Sequence, residues 1–455
     1  MPSDALPDAT ARELDGFLED WLADEDVPGV SVAVVDTDGL RYAAGLGARS
    51  LEPRAPATPD TRYAVASLAK PVVATGVLQL AEREGLALDD AVADHLPVLA
   101  DAPGEPVTVG DLLSHSSGLP RDFVATHRDL ADRAALCEHM DSVAERRLTD
   151  RRRYAYSNGG YMLLGEVIES VDGRPFRTYL ADEVLAPLGM DRSGFESALF
   201  DDEDVMTGYA PGDDGPKAAG PDPEEIDHAG ASGGLLATVT DLSRLLRCVL
   251  NGGELDGTRL LEPGSVGRMT TRQSPPLPTV DGSEPGYGYG WEVSELLGER
   301  LVTHRGGLGV ASAYVGLLPE RGVGVALGFN SGSHPTVTAG KSALALACGE
   351  DPMSVVDELR ITRAVERVTG TYEAHGGRSS VAVSASFPGT VEVRLGGEDG
   401  DRSFTAAHEV VEADRYVFET HDASGVRMVA EFRLDDHGVE LRLSMGKWTT
   451  VFTRA

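Results

Sequence analysis

Apolar positions in the first part of the chain predict strands at both ends and helices between them. Gly29–Val35 and Leu40–Leu46 are two apolar runs separated by an Asp-Gly turn. Asp-Gly between two such runs indicates a β-hairpin. Ahead of this hairpin, apolar residues recur at helical spacing and predict a helix at Ala11–Ala23.

Helical spacing dominates from Ser67 to about Leu250, with glycine and proline marking the ends. The predicted helices are Val72–Arg83, Val107–Leu113, Leu163–Val171, Phe176–Val184 and Thr240–Leu250. Asp201–Asp227 is rich in Asp, Gly and Pro and predicts a long surface loop that belongs to a site. Later strands are predicted at Tyr289–Val293, Arg300–Thr303, Ser312–Leu318 and Val323–Phe329, with one more helix at Thr336–Cys348. This order favours one mixed α/β domain whose sheet is completed by both ends.

The pattern changes after Asp351-Pro352, where short alternating segments rich in β-branched residues take over. These segments are Val381–Ser386, Val391–Leu395, Tyr416–Glu419, Arg427–Leu434 and Val439–Leu443. Short strands separated by turns are typical of a small barrel or sandwich. The sequence therefore predicts two domains, 1–352 as the α/β domain and 353–455 as an all-β domain.

The charge of the chain excludes some classes of partner. Asp and Glu total 74 and Lys and Arg total 40, which gives a formal net charge of −34. Phosphate binding needs a basic face, so neither nucleic acid nor an anionic membrane is an expected partner. Only four of the basic residues are lysines. Adaptation to high salt explains this composition, because salt screens self-repulsion; the base composition of the genome explains the scarcity of lysine equally well.

The cysteines and the N-terminus favour a cytoplasmic location. Cys137, Cys248 and Cys348 lie far apart and form neither a disulfide framework nor a zinc-binding pattern. The N-terminus has no basic start and no apolar core, so it does not predict a signal peptide. No run of about 18 apolar residues predicts a membrane-spanning helix. We expect a soluble protein with no metal and no organic cofactor.

Ser67-Leu68-Ala69-Lys70 is the first candidate for chemistry. If a helix begins at Ser67, Ser67 and Lys70 share a face because they are three residues apart. A hydroxyl is a weak nucleophile until a base takes its proton, and a lysine in a mostly apolar site, with its pKa lowered to about 7–8, is such a base. The alternative is an N-capping serine beside a surface lysine, which fits poorly with the apolar segment Tyr63–Leu80.

Tyr156-Ser157-Asn158 is the second candidate. A phenol relays a proton when a nearby cation lowers its pKa, and an asparagine amide donates to a substrate carbonyl. Taken alone, the segment is more simply explained as a Ser-Asn-Gly turn beside a half-buried tyrosine.

His304-Arg305-Gly306-Gly307 is the third candidate, at the end of a predicted strand. Glycines on a strand edge allow another backbone or a ligand to approach closely. The N–H of Gly307 would then face Ser67 as a second oxyanion donor. Taken alone, a glycine-rich turn beside a structural histidine is the simpler explanation.

In this order and at these separations, the three motifs resemble the serine β-lactamase and penicillin-binding-protein superfamily. Five further segments resemble its framework: Val27–Val30, Leu112–Leu119, Pro187–Met190, Ser232–Leu235 and Tyr289–Trp291. The resemblance covers about residues 11–350 and implies that fold, an antiparallel sheet flanked by helices with a helical region. The part beginning near Gly370–Glu373 resembles a lipocalin-like barrel, whose role would be to cover the site or to mediate a homo-oligomer.

The resemblance also implies roles for single residues. Ser67 would be the acylated nucleophile, Lys70 would accept its proton, and Tyr156 would pass a proton to the leaving group or activate the deacylating water. Asn158 would help to hold the substrate. The N–H groups of Ser67 and Gly307 would form the oxyanion hole. His115 and Ser117, in a framework loop, receive no chemical role.

The third motif departs from that of true β-lactamases. His304 and Gly306 occupy the places of Lys and Gly in their Lys-Thr-Gly strand, and Arg305 replaces the hydroxyl residue. The lysine there favours recognition of a penicillin carboxylate, which a neutral histidine recognises poorly unless Arg305 points inward. This variant resembles the branch of esterases, D-aminopeptidases and related CubicO-type hydrolases.

The resemblance therefore implies a serine hydrolase that forms an acyl-enzyme with a small ester or a peptide amide, including peptides that contain a D-residue. One alternative is a β-lactamase or D-alanyl-D-alanine carboxypeptidase. Another, from a different class, is a catalytically silent binding or assembly module of the same fold.

Overall fold

The structure of the protein is a computed structural model that describes residues 5–119, 133–144, 154–196, 198–199, 204–275, 285–387, 389–396, 402–422, 424–435 and 438–455. The chain divides into two compact units, Met1–Glu350 and Asp351–Ala455. The first is a mixed α/β domain and the second contains a closed barrel of eight strands. The predicted fold class is confirmed.

One large antiparallel sheet organises the first unit. Its described strands are β1 (Gly29–Asp36), β2 (Leu40–Leu51), β3 (Arg54–Pro56), β4 (Tyr63–Ala66), β5 (Gly208–Ala210), β6 (Lys217–Gly220), β7 (Leu235–Ala237), β8 (Glu254–Leu255), β9 (Thr258–Arg259), β10 (Gly286–Tyr287), β11 (Glu292–Leu296), β12 (Glu299–Gly307), β13 (Ser312–Leu318) and β14 (Val323–Phe329). Eight of these form the sheet, in the order β10-β11-β12-β13-β14-β1-β2-β3. Early strand β1 pairs with late strand β14, Val30 opposite Phe329, so segments from both ends of the domain complete one sheet.

Helices cover both faces of this sheet. The described helices of the first unit are α1 (Asp8–Asp24), α2 (Ala69–Glu82), α3 (Val92–His95), α4 (Val109–Leu113), α5 (Arg133–Ala144), α6 (Asn158–Asp172), α7 (Phe176–Leu180), α8 (Ala186–Leu188), α9 (Pro223–Gly233), α10 (Val239–Leu250), α11 (Pro263–Met269) and α12 (Thr336–Ala347), with a π-helical turn, Ala181–Leu185, between α7 and α8. Helices α1 and α12 pack on one face and α10 on the other. Helix α2 lies at the centre, against α6 and α9. Its residues from Ala69 to Leu80 are all buried, as expected of a helix that is apolar on every side.

The long loop predicted at Asp201–Asp227 is wrong for the part that the structure describes. Strands β5 and β6 form a short hairpin there, and α9 begins at Pro223. The carboxylate of Asp222 accepts the N–H of Glu224 and so caps the helix. At this point Asp222 and Pro223 mark the start of a helix, although Asp and Pro in this segment of the sequence predict an irregular loop.

The second unit is a closed antiparallel barrel preceded by two helices. Its described elements are α13 (Pro352–Val355), α14 (Asp357–Val368), β15 (Gly370–Ala374), β16 (Ser379–Ala385), β17 (Thr390–Gly396), β18 (Arg402–Val411), β19 (Arg415–His421), β20 (Arg427–Asp435), β21 (Gly438–Met445) and β22 (Trp448–Arg454). Pairing of β15 with β22, Tyr372 opposite Arg454, closes the barrel and leaves no open sheet edge. The apolar side of α14 joins the aromatic and aliphatic side chains of the barrel core. Among the described helices, none is long and apolar enough to cross a membrane.

Candidate active site

Ser67 lies in the turn between β4 and α2. The residue before it, Ala66, has a φ of +48°, a left-handed conformation that costs free energy for a residue with a Cβ. Helix α2 begins at Ala69, two residues later than the start considered from the sequence. The N–H of Lys70 still donates to the carbonyl of Ser67 at 3.0 Å. This turn brings the Ser67 and Lys70 side chains together.

The Lys70 ammonium group is fully buried and has three acceptors. Its Nζ lies 3.0 Å from Ser67 Oγ, 3.0 Å from Asn158 Oδ1 and 2.6 Å from the carbonyl oxygen of Ser232. An ammonium group has three N–H donors, so these three contacts satisfy it without water. Nζ also lies 4.8 Å from the centroid of the Tyr156 ring, within range of a cation–π interaction.

The Tyr156 hydroxyl approaches Ser67 from the other side, with Oη 3.0 Å from Ser67 Oγ. Tyr156 comes just before α6, whose start is fixed by Ser157: the Ser157 hydroxyl accepts the N–H of Gly160 and caps the helix. Asn158 is the first residue of this helix. One helix start therefore supplies both the phenol that faces Ser67 and the amide that faces Lys70.

Strand β12 passes close beside the Ser67 turn at Gly306. A Cβ at this position would lie 1.9 Å from the carbonyl oxygen of Val65 and 3.1 Å from the Ser67 nitrogen. Only glycine permits this approach. No hydrogen bond of the Ser67 N–H occurs among the described residues. Gly307, the next residue of the strand, is exposed and has open space where a Cβ would point.

His304 is buried and its two ring nitrogens are engaged away from Ser67. Nδ1 lies 2.8 Å from the carbonyl oxygen of Arg305, and Nε2 lies 2.8 Å from Tyr287 Oη. Burial, together with the positive charge of Lys70, lowers the pKa of His304 to about 3. The ring is therefore neutral near pH 7: Nδ1–H donates to the carbonyl, and Nε2 accepts from the tyrosine hydroxyl.

Arg305 is exposed and points away from this side of the sheet. It lies opposite Tyr314 in the pairing of β12 with β13, so the two side chains share a face. The Tyr314 ring contacts Gly340 of α12 on that face. His304 and Gly306 occupy the opposite face of the strand. The inward orientation that would let Arg305 replace a carboxylate-binding lysine is therefore absent.

Comparisons with known proteins agree with this geometry. A family model described as "Beta-lactamase" matches residues 12–348, which is most of the chain. The chain belongs to the β-lactamase family. A second model, described as "Pab87 octamerisation domain", matches residues 352–448. The resemblance to serine β-lactamases and penicillin-binding proteins is thus confirmed, and the family consists largely of serine hydrolases.

Individual relatives and solved structures are similar to this chain over different lengths. "Penicillin-binding protein 4" of Amycolatopsis lactamdurans is 31% identical over 318 residues, 67% of this chain and 81% of that protein. The octameric penicillin-binding protein homologue from Pyrococcus abyssi is 30% identical, with a TM-score of 0.87 over 97% of this chain and 100% of its own. A D-amino acid amidase from Ochrobactrum anthropi SV3 is 23% identical, with a TM-score of 0.62 over 75% of this chain and 99% of its own, and shares the fold.

The predicted site residues fall into two groups within this family fold. Ser67, Lys70, Tyr156 and Asn158 form one hydrogen-bonded cluster, and Gly306 packs directly against its backbone. Gly307 follows at the exposed edge. His304 contacts Tyr287, and the described hydrogen bonds join it to neither Ser67 nor Lys70. Among the described residues, no group of three or more His, Cys, Asp or Glu side chains is placed to hold a metal ion.

Two residues of the site had no assigned role in the sequence. The carbonyl of Ser232 binds Lys70, and the hydroxyl of Tyr287 binds His304. The signal for Ser232 was its place in a run of small residues, Ser-Gly-Gly, which lets the end of α9 approach α2 closely. The signal for Tyr287 was the aromatic run that ends at Trp291. Neither signal identifies the contact partner.

Proposed function

We propose that the protein is a serine hydrolase that works through an acyl-enzyme on Ser67. The observation that carries this proposal is the position of Ser67 Oγ, 3.0 Å from both Lys70 Nζ and Tyr156 Oη. A serine hydroxyl held by two groups that exchange protons is the arrangement that nucleophilic catalysis requires. The alternative, an N-capping serine beside a surface lysine, does not fit because Lys70 is fully buried.

In acylation, Lys70 acts in its neutral amine form, in which Nζ accepts from the Ser67 hydroxyl instead of donating to it. Ser67 Oγ attacks the carbonyl carbon of the substrate and passes its proton to this amine. The carbonyl oxygen becomes an oxyanion, which the N–H groups of Ser67 and Gly307 stabilise. Tyr156 donates its hydroxyl proton to the leaving alcohol or amine and regains a proton from Lys70. The bond from the carbonyl carbon to the leaving group then breaks, and the acyl group stays on Ser67.

In deacylation, a water molecule replaces the leaving group in the reverse sequence. Tyr156 passes its hydroxyl proton to the neutral amine of Lys70 and takes a proton from the water as the water oxygen bonds to the acyl carbon. The bond from that carbon to Ser67 Oγ breaks, and Oγ recovers a proton through Lys70. Asn158 keeps the Nζ of Lys70 in place through its Oδ1 and offers its amide N–H groups to the substrate.

The charges around the site favour a substrate that is neutral beside the reacting carbonyl. His304 is uncharged at neutral pH, and Arg305 lies on the opposite face of the strand. A penicillin or a D-alanyl-D-alanine terminus presents a carboxylate, which would meet no cation from this motif. We therefore propose small esters or peptide amides, including those with a D-residue, the class named for the amidase that shares the fold.

The first test is hydrolysis of p-nitrophenyl butyrate in concentrated KCl. We expect a burst of about one p-nitrophenol per subunit followed by a slower steady state, the signature of an acyl-enzyme. Ser67→Ala should abolish both phases and leave the fold unchanged. Ser342→Ala is the control, because Ser342 is a buried serine that lies in α12, outside the Ser67 cluster. Turnover that persists in Ser67→Ala would refute the mechanism.

Two outcomes distinguish the alternatives. A stable adduct of a fluorescent penicillin on Ser67, formed faster than ester hydrolysis, would favour the β-lactamase or carboxypeptidase function that the name of one relative suggests. A folded wild-type protein that neither hydrolyses the ester nor reacts with a fluorophosphonate would favour a silent binding or assembly module.

We also propose that the barrel assembles copies of this chain. Its support is the match to an octamerisation domain and the octameric state named for the Pyrococcus abyssi homologue. The hairpin of β21 and β22 exposes 71% of Trp448 and 38% of Met445, with Val426 also 38% exposed close by. For a chain with a net charge of −34, an uncharged contact avoids repulsion between copies.

Light scattering after size-exclusion chromatography tests this assembly. We expect an oligomeric mass for the wild type and a smaller mass for Trp448→Ser. Phe387→Ser is the matched control, because Phe387 is 73% exposed in the β16–β17 turn at the other end of the barrel. An unchanged mass in Trp448→Ser would exclude this hairpin from the interface.

A cytoplasmic location is the last part of the proposal. All three cysteines, Cys137, Cys248 and Cys348, are free thiols, which fits a reducing compartment. Burial raises the pKa of Cys248 to about 12, so this thiol stays protonated and unreactive at neutral pH. Labelling with a thiol reagent in denaturant, straight after rapid lysis, should recover three reduced cysteines per chain.

A further inference from the structure

His115 occupies a strained and buried position two residues after α4. Its relative exposure is 1%, and its φ of +55° lies in the left-handed region. Such a conformation costs about 1 kcal/mol or more for a residue with a Cβ and persists where the surroundings impose it. No step of the proposed acyl-enzyme mechanism uses this side chain.

Two hydrogen bonds tie His115 to the residues on either side of Tyr156. The N–H of Ala155 donates to the carbonyl of His115 at 2.9 Å. The N–H of Ser157 donates to His115 Nδ1 at 3.2 Å. His115 thus binds the backbone before and after Tyr156, and the phenol is the side chain of the residue between these two contacts.

The imidazole also packs against the Tyr156 ring. The two ring centroids are 4.3 Å apart, and Tyr161 and Tyr287 pack around the same imidazole at 5.1 and 4.6 Å. Because Nδ1 accepts a hydrogen bond, the neutral ring carries its proton on Nε2, which has no hydrogen-bond partner among the described residues. Burial lowers the pKa of His115 far below its ordinary value, and the charge of Lys70 acts in the same direction.

We infer that His115 is the positioning residue that holds the Tyr156 hydroxyl against Ser67 Oγ, through the Ala155 and Ser157 hydrogen bonds and the ring contact. The inference rests on the proposed function, because the position of the phenol matters only if Ser67 reacts. Without these two hydrogen bonds and the ring contact, Tyr156 can move while Ser67 and Lys70 keep their own contact.

A double-mutant cycle with Tyr156 tests this role. His115→Phe keeps a ring and removes the acceptor, whereas His115→Asn keeps an acceptor near the Nδ1 position and tolerates the left-handed backbone. Each is made in the wild type and in Tyr156→Phe, which removes only the hydroxyl. The assays are kcat and KM for p-nitrophenyl butyrate and the rate at which a fluorophosphonate labels Ser67.

We expect His115→Phe to lower kcat about 10- to 100-fold in the wild type with little change in KM, because misplacement of a catalytic group by about 1 Å has effects of this size. In Tyr156→Phe the same change should cost less than about threefold, since the hydroxyl that it positions is gone. His115→Asn should retain more activity than His115→Phe and show the same dependence on Tyr156. If His115→Phe does not fold by circular dichroism, His115→Asn carries the cycle alone.

Equal losses in both backgrounds, or an effect on KM alone, would overturn this assignment. His334→Phe is the control: His334 is a half-buried imidazole whose Nδ1 accepts the Trp21 N–H at 3.3 Å, away from Tyr156. It should lower stability and leave kcat unchanged. Labelling that persists in Ser67→Ala would overturn the proposed function, whereas Ser67-dependent labelling with additive losses overturns the role of His115 alone.

Discussion

Replacing Gly306 by alanine tests the close approach of β12 to the Ser67 turn. The new Cβ would lie 1.9 Å from the Val65 carbonyl oxygen, although Cβ atoms essentially never come within 3.0 Å of another heavy atom. The obstacle is backbone, which cannot rotate aside as a side-chain tip can. The same carbonyl accepts the N–H of Leu68 at 3.2 Å, so its displacement also disturbs the turn that carries Ser67.

The size of the effect follows from the missing space. The contact must open by about 1.1 Å to reach the 3.0 Å limit. A displacement of about 1 Å at a catalytic centre costs roughly 100-fold in rate, or about 2.7 kcal/mol of transition-state stabilisation. We therefore expect Gly306→Ala to lower kcat/KM for p-nitrophenyl butyrate about 100-fold.

Two further glycine variants separate this effect from the general cost of an added methyl group. Gly307→Ala keeps its N–H and places its Cβ in open space, so we expect a much smaller loss. Gly267→Ala in α11 also has no atom within 4 Å of its Cβ and serves as the control remote from the Ser67 turn. Each variant is checked by thermal unfolding before kinetics. A folded Gly306→Ala within about threefold of wild-type kcat/KM would refute the close approach and the site built on it.

Three other predictions concern proton transfer, pH and salt. Tyr156→Phe should lower kcat about 100-fold or more with KM little changed, measured by steady-state hydrolysis, because it removes a general acid and base; an unchanged kcat would exclude the phenol from proton transfer. Burial lowers the pKa of His304 to about 3 and of His334 to about 4. Below pH 6.5 these two histidines therefore bind protons in the unfolded chain but stay neutral in the folded chain. Stability from these residues is complete above about pH 6.5 and falls by about 1.4 kcal/mol per pH unit for each histidine as the pH drops; urea unfolding at several pH values should show this slope, reduced by one histidine in His334→Asn. With a net charge of −34, the unfolding temperature should rise between about 0.1 and 1 M KCl, where the Debye length shrinks from about 10 to 3 Å, and a fall would contradict adaptation to salt.

Strands that are unbroken apolar runs could be predicted from the sequence, and elements whose place depends on their neighbours could not. Strands Ser312–Leu318 and Val323–Phe329 have the predicted bounds, because buried strands read as unbroken apolar runs. Strand β18, Arg402–Val411, carries a polar and alanine-rich sequence whose place is fixed by its barrel neighbours β17 and β19. Helix α14, Asp357–Val368, was missed although its apolar residues recur at helical spacing. Its position in the barrel core depends on tertiary packing.

The candidate site shows the same limit at the level of single contacts. The motifs identified Ser67, Lys70 and Tyr156 because a serine hydrolase needs those residue types, whatever surrounds them. Which atoms satisfy Lys70 depends on a carbonyl from residue 232, far along the chain, and no side-chain type encodes a backbone carbonyl.

His115 and His304 lie in motifs but are uncharged in the structure. A histidine in a motif suggests a charge or an acid–base role, because its ordinary pKa lies near 6.5. Both of these are buried and lie close enough to Lys70 for its charge to lower their pKa values, and both bind a backbone atom through Nδ1. Both therefore position other residues as neutral rings. His115 holds the Tyr156 segment, and His304 binds the hydroxyl of Tyr287. Neither imidazole stands between the groups that exchange protons in the proposed acylation step, because Ser67 Oγ contacts Lys70 Nζ and Tyr156 Oη directly.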